Sequence, residues 1–212
     1  MTSIIVVAVI AYLIGSIMFS VIFTEKFAGF DVRTRRSGNA GSTNVLRTPG
    51  KKVALYTLIC DISKGVVPVL IGFLVGKMIN ASVETAQMLI LTAGFMVVLG
   101  HTFPIFFKFK GGKGVATSLG VLLMINWKIG LICLIFALLI MIISRMVSLG
   151  SVSAAILFPI LCLFINDSYL IEANHWGYVL FGIILCLLVV FNHRSNLKRI
   201  FNGTENKLSF KK

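Results

Sequence analysis

Seven apolar segments, parted by short polar and mostly basic breaks, leave this chain few ways to fold. Ile4–Phe23, Val53–Val75 and Ala86–Phe107 are each long enough to cross a membrane, which takes about twenty residues for about 30 Å of hydrocarbon. Val115–Ile125 is apolar but would span only about 17 Å as a helix, so it either crosses shallowly or begins within a polar site. Ile129–Ile143, Val152–Ile165 and Tyr178–Phe191 complete the set, after breaks at Asn126-Trp127-Lys128 and Asn166-Asp167-Ser168. Trp127 and Trp176 suit interfacial belts. The composition agrees: 58% of residues are hydrophobic and 13% charged, where a soluble domain carries about 25% charged residues. The expected fold is an all-α integral membrane protein of about seven transmembrane helices. No repeat or linker divides it, so 1–212 reads as a single domain. MTSIIVVAVIAYLIG lacks a basic leader and a small-residue cleavage site, and reads as a retained first span.

Charge gives the direction. With the N-terminus outside and seven spans, seventeen of the twenty Lys and Arg residues fall in inner segments, Lys77 and Lys128 in outer loops, and Lys64 within a span. This asymmetry predicts a cytoplasmic C-terminus. A five-span version, fusing the fourth segment with the fifth and the sixth with the seventh, would place Ser151 outside. Anionic lipid and the positive-inside bias account for much of the excess charge, with no need for nucleic acid. Cys60, Cys133, Cys162 and Cys186 lie in apolar segments without a C-x-x-C pair, so neither a disulfide nor a metal site is expected.

Three inner loops carry more than topology requires. The first, SGNAGSTNVLR, places Gly38 and Gly41 among Ser37, Asn39, Ser42, Thr43 and Asn44, ahead of Arg47. Glycines permit close backbone approach, and a guanidinium matches phosphate oxygens in pairs. The same string also fits an ordinary turn before a capped interfacial helix. The second, HTFPIFFKFKGGKGVAT from His101 to Thr117, runs Gly111, Gly112, Lys113 and Gly114 into an apolar helix whose N-terminus can receive an anion. A flexible positive-inside loop is the plainer alternative, and His101 taken alone reads as structural. In the third, NHRSNLKRIFNGTENK, His193 and Asn196 stand one helical turn apart, while Arg194, Lys198 and Arg199 read as a surface-anchoring basic face. Ser148 and Ser151 form a smaller fourth element. Asp61 and Lys64, three residues apart within a span, are either a neutralised structural pair or a functional one.

Several chemistries are excluded. Gly114 follows Lys113 where a P-loop needs Ser or Thr. H-x-x-x-x-D fails because Phe106 stands five residues after His101. There is no G-x-S-x-G, and no Cys/His set fits zinc. Phosphate recognition by glycine loops, Lys and Arg remains, with His and Asn nearby. An organophosphate transporter could use the same loops as a vestibule.

SGNAGSTNVLR, GHTFPIFFKFKGGKGVAT, RMVSLGS and HRSNLKRIFNGTENK, in this order between apolar spans and with DISKG at Asp61–Gly65, resemble the bacterial acyl-phosphate-dependent glycerol-3-phosphate acyltransferases, the PlsY family. The resemblance implies transfer of a fatty acyl group from acyl phosphate to the 1-hydroxyl of glycerol 3-phosphate, with no cofactor, at the bacterial inner membrane and facing the cytoplasm. It implies that Ser37, Arg47, Lys113 and Ser151 hold the glycerol phosphate. The glycines and small polar residues of the first two motifs would cradle the acyl phosphate, and His193 and Asn196 would stand at the reacting centre. Expected partners are the two substrates, membrane lipid and the enzyme that forms acyl phosphate. Two positions depart from the family pattern. Met18 stands where a proline is common, and Arg36 replaces the leading glycine of GSGN, altering the turn or adding a phosphate contact.

Overall fold

In the computed structural model, which describes residues 1–165 and 175–208, the described chain is helical with no strand. The long apolar helices are α1 (Thr2–Gly15), continued by α2 (Phe19–Ala28), then α4 (Lys51–Met78), α5 (Val83–Thr102), α7 (Trp127–Ser144), α8 (Val147–Phe164) and α9 (His175–Asn192). Short elements carry the polar motifs: α3 (Ser42–Leu46), α6 (Val115–Ile125) and α10 (Arg194–Phe201). Among the described residues, six segments are long and apolar enough to span a membrane, counting α1 with α2, and α6 is a shorter seventh. The break expected at Asn166-Asp167-Ser168 lies outside the described residues.

The first span is not the continuous helix over Ile4–Phe23 that hydropathy predicts. It breaks at Ser16–Met18, where Met18 has φ −98° and ψ 84°. Ser16 Oγ bonds back to the carbonyl of Tyr12 at 2.9 Å. Met18 is fully buried there, so the bend survives without the family's proline. Arg36 takes φ +51° and is exposed, lining neither cavity of the site described below. The positive φ is the conformation that the glycine of the family pattern takes without strain. A non-glycine residue in this conformation is strained, so Arg36→Gly is expected to raise unfolding stability by about 0.5 kcal/mol, with activity unchanged, read as a small rise in melting temperature.

Helices in lipid gain little from mutual hydrophobicity and associate through close backbone approach. α4 and α6 show this: a Cβ on Gly65 would collide with the carbonyl of Thr117, and one on Gly120 with that of Ile62. α1 packs on α5, α4 on α5 and α6, α7 on α8, and α8 on α9. A core including Val69, Leu89, Val97, Val121, Phe158 and Leu185 joins them. The turns at Arg145–Met146 and Gly114 bring the start of α8 and the start of α6 to the same end of the bundle as the end of α9.

Candidate functional site

At that end the three motifs meet. Ser37, Asn39, Gly41, Thr43, Asn44 and Arg47 from the first, Lys113 and Gly114 from the second, Ser148 and Ser151 from α8, and His193 and Asn196 from the third line one cavity of about 740 Å³. A second cavity of about 300 Å³ adjoins it, lined by Gly38, Gly112, Asn192 and Arg194, and shares Ser37, Asn39, Lys113, Asn196 and Arg199 with the first. Since Ser151 stands in the same cavity as Lys113 and His193, the five-span arrangement fails and α6 with α7, and α8 with α9, are separate passes.

Local folding explains the convergence. Arg33 clasps the first two motif loops together. Its guanidinium forks onto Asp31, donates to the carbonyls of Phe107 at 2.9 Å and Lys110 at 3.2 Å, and lies over the Phe107 ring. Asn44 is buried and donates its amide to the carbonyls of Val32, Arg35 and Asn39, so it shapes the turn that presents Ser37 and Asn39. Gly111 lines neither cavity; it packs against the His101 carbonyl, where a side chain would not fit. Gly114, at φ +83°, starts α6, whose first turn opens on the cavity beside Lys113.

Lys113 Nζ donates to Asn196 Oδ1. Burial brings the ammonium down to a pKa of about 8, helped by the nearby Arg199 and Arg47 charges and opposed by Glu205. His193 caps the junction of α9 and α10 and is buried. Its Nδ1 lies 2.8 Å from the carbonyl of Val189. A carbonyl can only accept, so Nδ1 carries the proton and Nε2 is left as an acceptor. Burial and the Lys113 charge lower this imidazole to about 4, and at neutral pH it is uncharged.

Two site residues go beyond the sequence reading. Arg199, expected in the surface basic face, instead lines both cavities and pairs with Glu205 at 2.8 Å. It lies one turn beyond Asn196, so the periodicity that joins His193 to Asn196 extends to it. Lys198 stays exposed, as a surface face requires, while Arg194 rests on the Phe191 ring and also lines the second cavity. Glu205 accepts from Ser148 Oγ at 2.8 Å, Asn196 Nδ2 at 2.7 Å and Arg199 Nε at 2.8 Å. Burial alone would raise its carboxyl, but those hydrogen bonds outweigh it and hold the group below the usual carboxylate range. The strand of chain after α10 is tied across the cavity mouth, from Arg47 to the Asn206 carbonyl and from Leu208 N to the Arg145 carbonyl.

Below its polar end the larger cavity turns apolar, between Leu55, Leu58, Leu134, Leu138, Phe158 and Leu185. Leu55, Leu58 and Leu138 are 53%, 37% and 47% exposed, so this limb is open at its side. A charged head and an apolar tail are therefore accommodated together.

The sequence profile of the glycerol-3-phosphate acyltransferase family matches residues 5–203. The chain belongs to that family. A glycerol-3-phosphate acyltransferase of Clostridioides difficile (strain 630) is 44% identical over 210 residues, covering 99% of this chain and 98% of its own. One from Thermoanaerobacter sp. (strain X514) is 42% identical over 206 residues, covering 96% and 95%. Among solved structures, PlsY (YgiH), an integral membrane glycerol 3-phosphate acyltransferase, superposes in its glycerol 3-phosphate form with a TM-score of 0.83 at 33% identity, over 98% of this chain and 96% of that one. Its lysophosphatidic acid form gives 0.82 at 31%, with the same coverage. The acyltransferase family and the membrane fold expected from the motifs are thus both found.

Proposed function

We propose that this protein transfers a fatty acyl group from acyl phosphate to the 1-hydroxyl of sn-glycerol 3-phosphate, giving 1-acylglycerol 3-phosphate and inorganic phosphate, the first step of phospholipid synthesis. The observation that carries the reading is the pair of adjoining cavities sharing Ser37, Lys113, Asn196 and Arg199, of which only the larger continues into an apolar limb. The shared polar end has room for two phosphate-bearing heads, and the apolar limb for the tail of one of them. The glycerol 3-phosphate and lysophosphatidic acid forms of the similar PlsY support it.

In this reading Ser37, Arg47, Lys113 and Ser151 hold the glycerol phosphate. Gly38, Asn39, Gly41, Thr43, Gly112, Gly114 and Ser148 build the cradle for the acyl phosphate head, with Asn44 fixing the first turn and Gly111, outside both cavities, packing the second. An acyl phosphate is already activated, so orientation and charge stabilisation suffice without nucleophile or metal. His193 Nε2 accepts the hydrogen bond of the 1-hydroxyl and aims its oxygen at the acyl carbon. With a pKa of about 4, His193 holds a proton poorly. A phosphate monoester takes its second proton near pH 6, so the departing phosphate is the better final base. The new ester C–O bond forms as the acyl C–O bond to phosphate breaks, and the alcohol proton leaves on the phosphate. The lysine and arginine asymmetry supports a site facing the cytoplasm at the bacterial inner membrane, where an acyl-phosphate-forming enzyme would deliver the donor.

The test is to offer acyl phosphate with and without glycerol 3-phosphate to the purified protein. Phosphate release and acylglycerol phosphate formation should both require the pair, and acyl-CoA should be a poor donor. Uptake of phosphate into proteoliposomes without product would favour the transporter, a reading weakened because the inner limb of the cavity is lined by apolar side chains such as Cys133, Phe158 and Leu185.

The Lys113 ammonium also sets a pH dependence. The empty site loses its proton as pH rises through about 8. Glycerol 3-phosphate should therefore bind more weakly above that pH, with kcat/KM falling about tenfold per unit once well past it, and kcat holding to higher pH because bound phosphate retains the proton.

A further inference from the structure

The buried Asp61, Lys64 and His101 belong to no step above. We propose that Asp61 is a positioning residue of this enzyme: from within the membrane it holds the His101 ring under Gly112, and so sets the turn that presents Lys113 to the phosphate. The inference rests on the role of Lys113 argued above.

The chain of contacts is short. Lys64 Nζ lies 3.0 Å from Asp61 Oδ1, and His101 Nδ1 lies 3.7 Å from the same oxygen. All three side chains are at most 3% exposed. Lys64 Nζ also donates to the carbonyl of Ile17 at 2.6 Å, a group that the break between α1 and α2 leaves available, and sits over the Phe19 ring. Asp61 is thereby fixed to the first span. On its other side, the Nε2 edge of His101 abuts Gly112 so closely that a Cβ there would collide with the ring. The His101 carbonyl accepts from Gly112 N at 3.0 Å. The next residue is Lys113. One edge of the imidazole therefore faces the anchored carboxylate and the other supports the glycine turn.

Packing alone gives a weak reason for such a cluster. A buried ion pair can often be replaced by apolar side chains of similar volume with no loss of stability, because desolvation offsets the attraction. The contacts of Lys64 with Asp61 and with the Ile17 carbonyl are directional, as an apolar pair could not be. At 3.7 Å the carboxylate faces the His101 ring through packing and charge without a hydrogen bond. Asp61 and Lys64 cancel in charge, so the pair fixes a geometry without changing the positive field of the cavity. Small displacements matter here, since misplacing a reacting group by about 1 Å can cost about 100-fold in rate.

The experiment compares glycerol 3-phosphate affinity by calorimetry, KM for acyl phosphate, and melting temperature, in the detergent-solubilised full chain. Asp61→Asn with Lys64→Met removes the anchor while keeping the interior neutral. His101→Phe keeps a ring under Gly112 but gives Asp61 nothing to hold. Each should weaken glycerol 3-phosphate binding about 10- to 100-fold, raise the KM for acyl phosphate as well because Gly112 also belongs to its cradle, and leave the melting temperature little changed. The triple variant should be no worse than His101→Phe, because all three act through one contact. Unchanged affinity, or losses that multiply, would overturn the proposal. If the double variant does not fold, His101→Phe decides alone. Lys113→Ala run in parallel separates the two ideas: affinity unaffected by it sinks the role of Lys113, whereas loss in Lys113→Ala beside normal binding in His101→Phe sinks only the role of Asp61.

Discussion

Lys113→Ala should reduce kcat/KM about 1,000-fold or more and leave a protein that melts no lower than the parent. The activity loss follows from removing the ammonium at the point where both cavities meet, on a group stabilising charge in a partly dehydrated site. The stability result follows from sign. Burial has lowered this lysine from 10.5 to about 8, which means that the folded protein disfavours its charge and gains nothing from it near neutrality. Lys113→Arg should not rescue, because a planar fork cannot take the position of a compact ammonium already bonded to Asn196. Activity of Lys113→Ala above a tenth of the parent would refute the assignment. A fall in melting temperature in step with activity would mean that the residue supports the fold.

Glu205→Gln should show the reverse balance: a large loss of stability, with activity falling as a consequence. The Glu205 side chain is 4% exposed in its pair with Arg199 and also accepts from Ser148 and Asn196. Arg199 is itself 35% exposed and stays solvated, so the cost is that of the charge-assisted hydrogen bonds lost at the carboxylate, about 1.5–3 kcal/mol. The pH dependence is also specified. The carboxyl sits below its ordinary 4.5 in the folded protein, so its contribution is complete above that value and disappears as pH falls through the folded-state pKa. Thermal melts across pH 3 to 7 should show an acid-side decline in the parent that flattens in Glu205→Gln. Equal melting temperatures at pH 7 would contradict the clasp.

The two variants mark what could be read from the sequence. The spans could be, because a membrane imposes a length and a composition that survive any tertiary arrangement. The meeting of Ser37, Lys113 and His193 was also legible, through cations sorted to one side and glycines placed where anions bind. The break at Ser16–Met18 was not. Ile17 gives its carbonyl to Lys64, forty-seven residues away, and nothing local in SIMFS announces that. Glu205 was hidden for a different reason. A single carboxylate in a basic tail reads as solvated until the tail is seen to fold back over the cavity. Arg199 could have been found, since it follows Asn196 by three residues on a helix. The pull of a basic surface explanation obscured a periodicity already in use three residues earlier.

The sideways opening beside Leu55, Leu58 and Leu138 alters what concentration means for this enzyme. A tailed donor that enters there and a tailed product that leaves there never pass through bulk water. Turnover should then track the mole fraction of donor among the surrounding lipids, so that adding inert lipid slows the reaction at fixed total donor. The soluble co-substrate, by contrast, is felt as an ordinary molarity. In the proposed reaction, two reactants counted in different dimensions would meet at a single lysine.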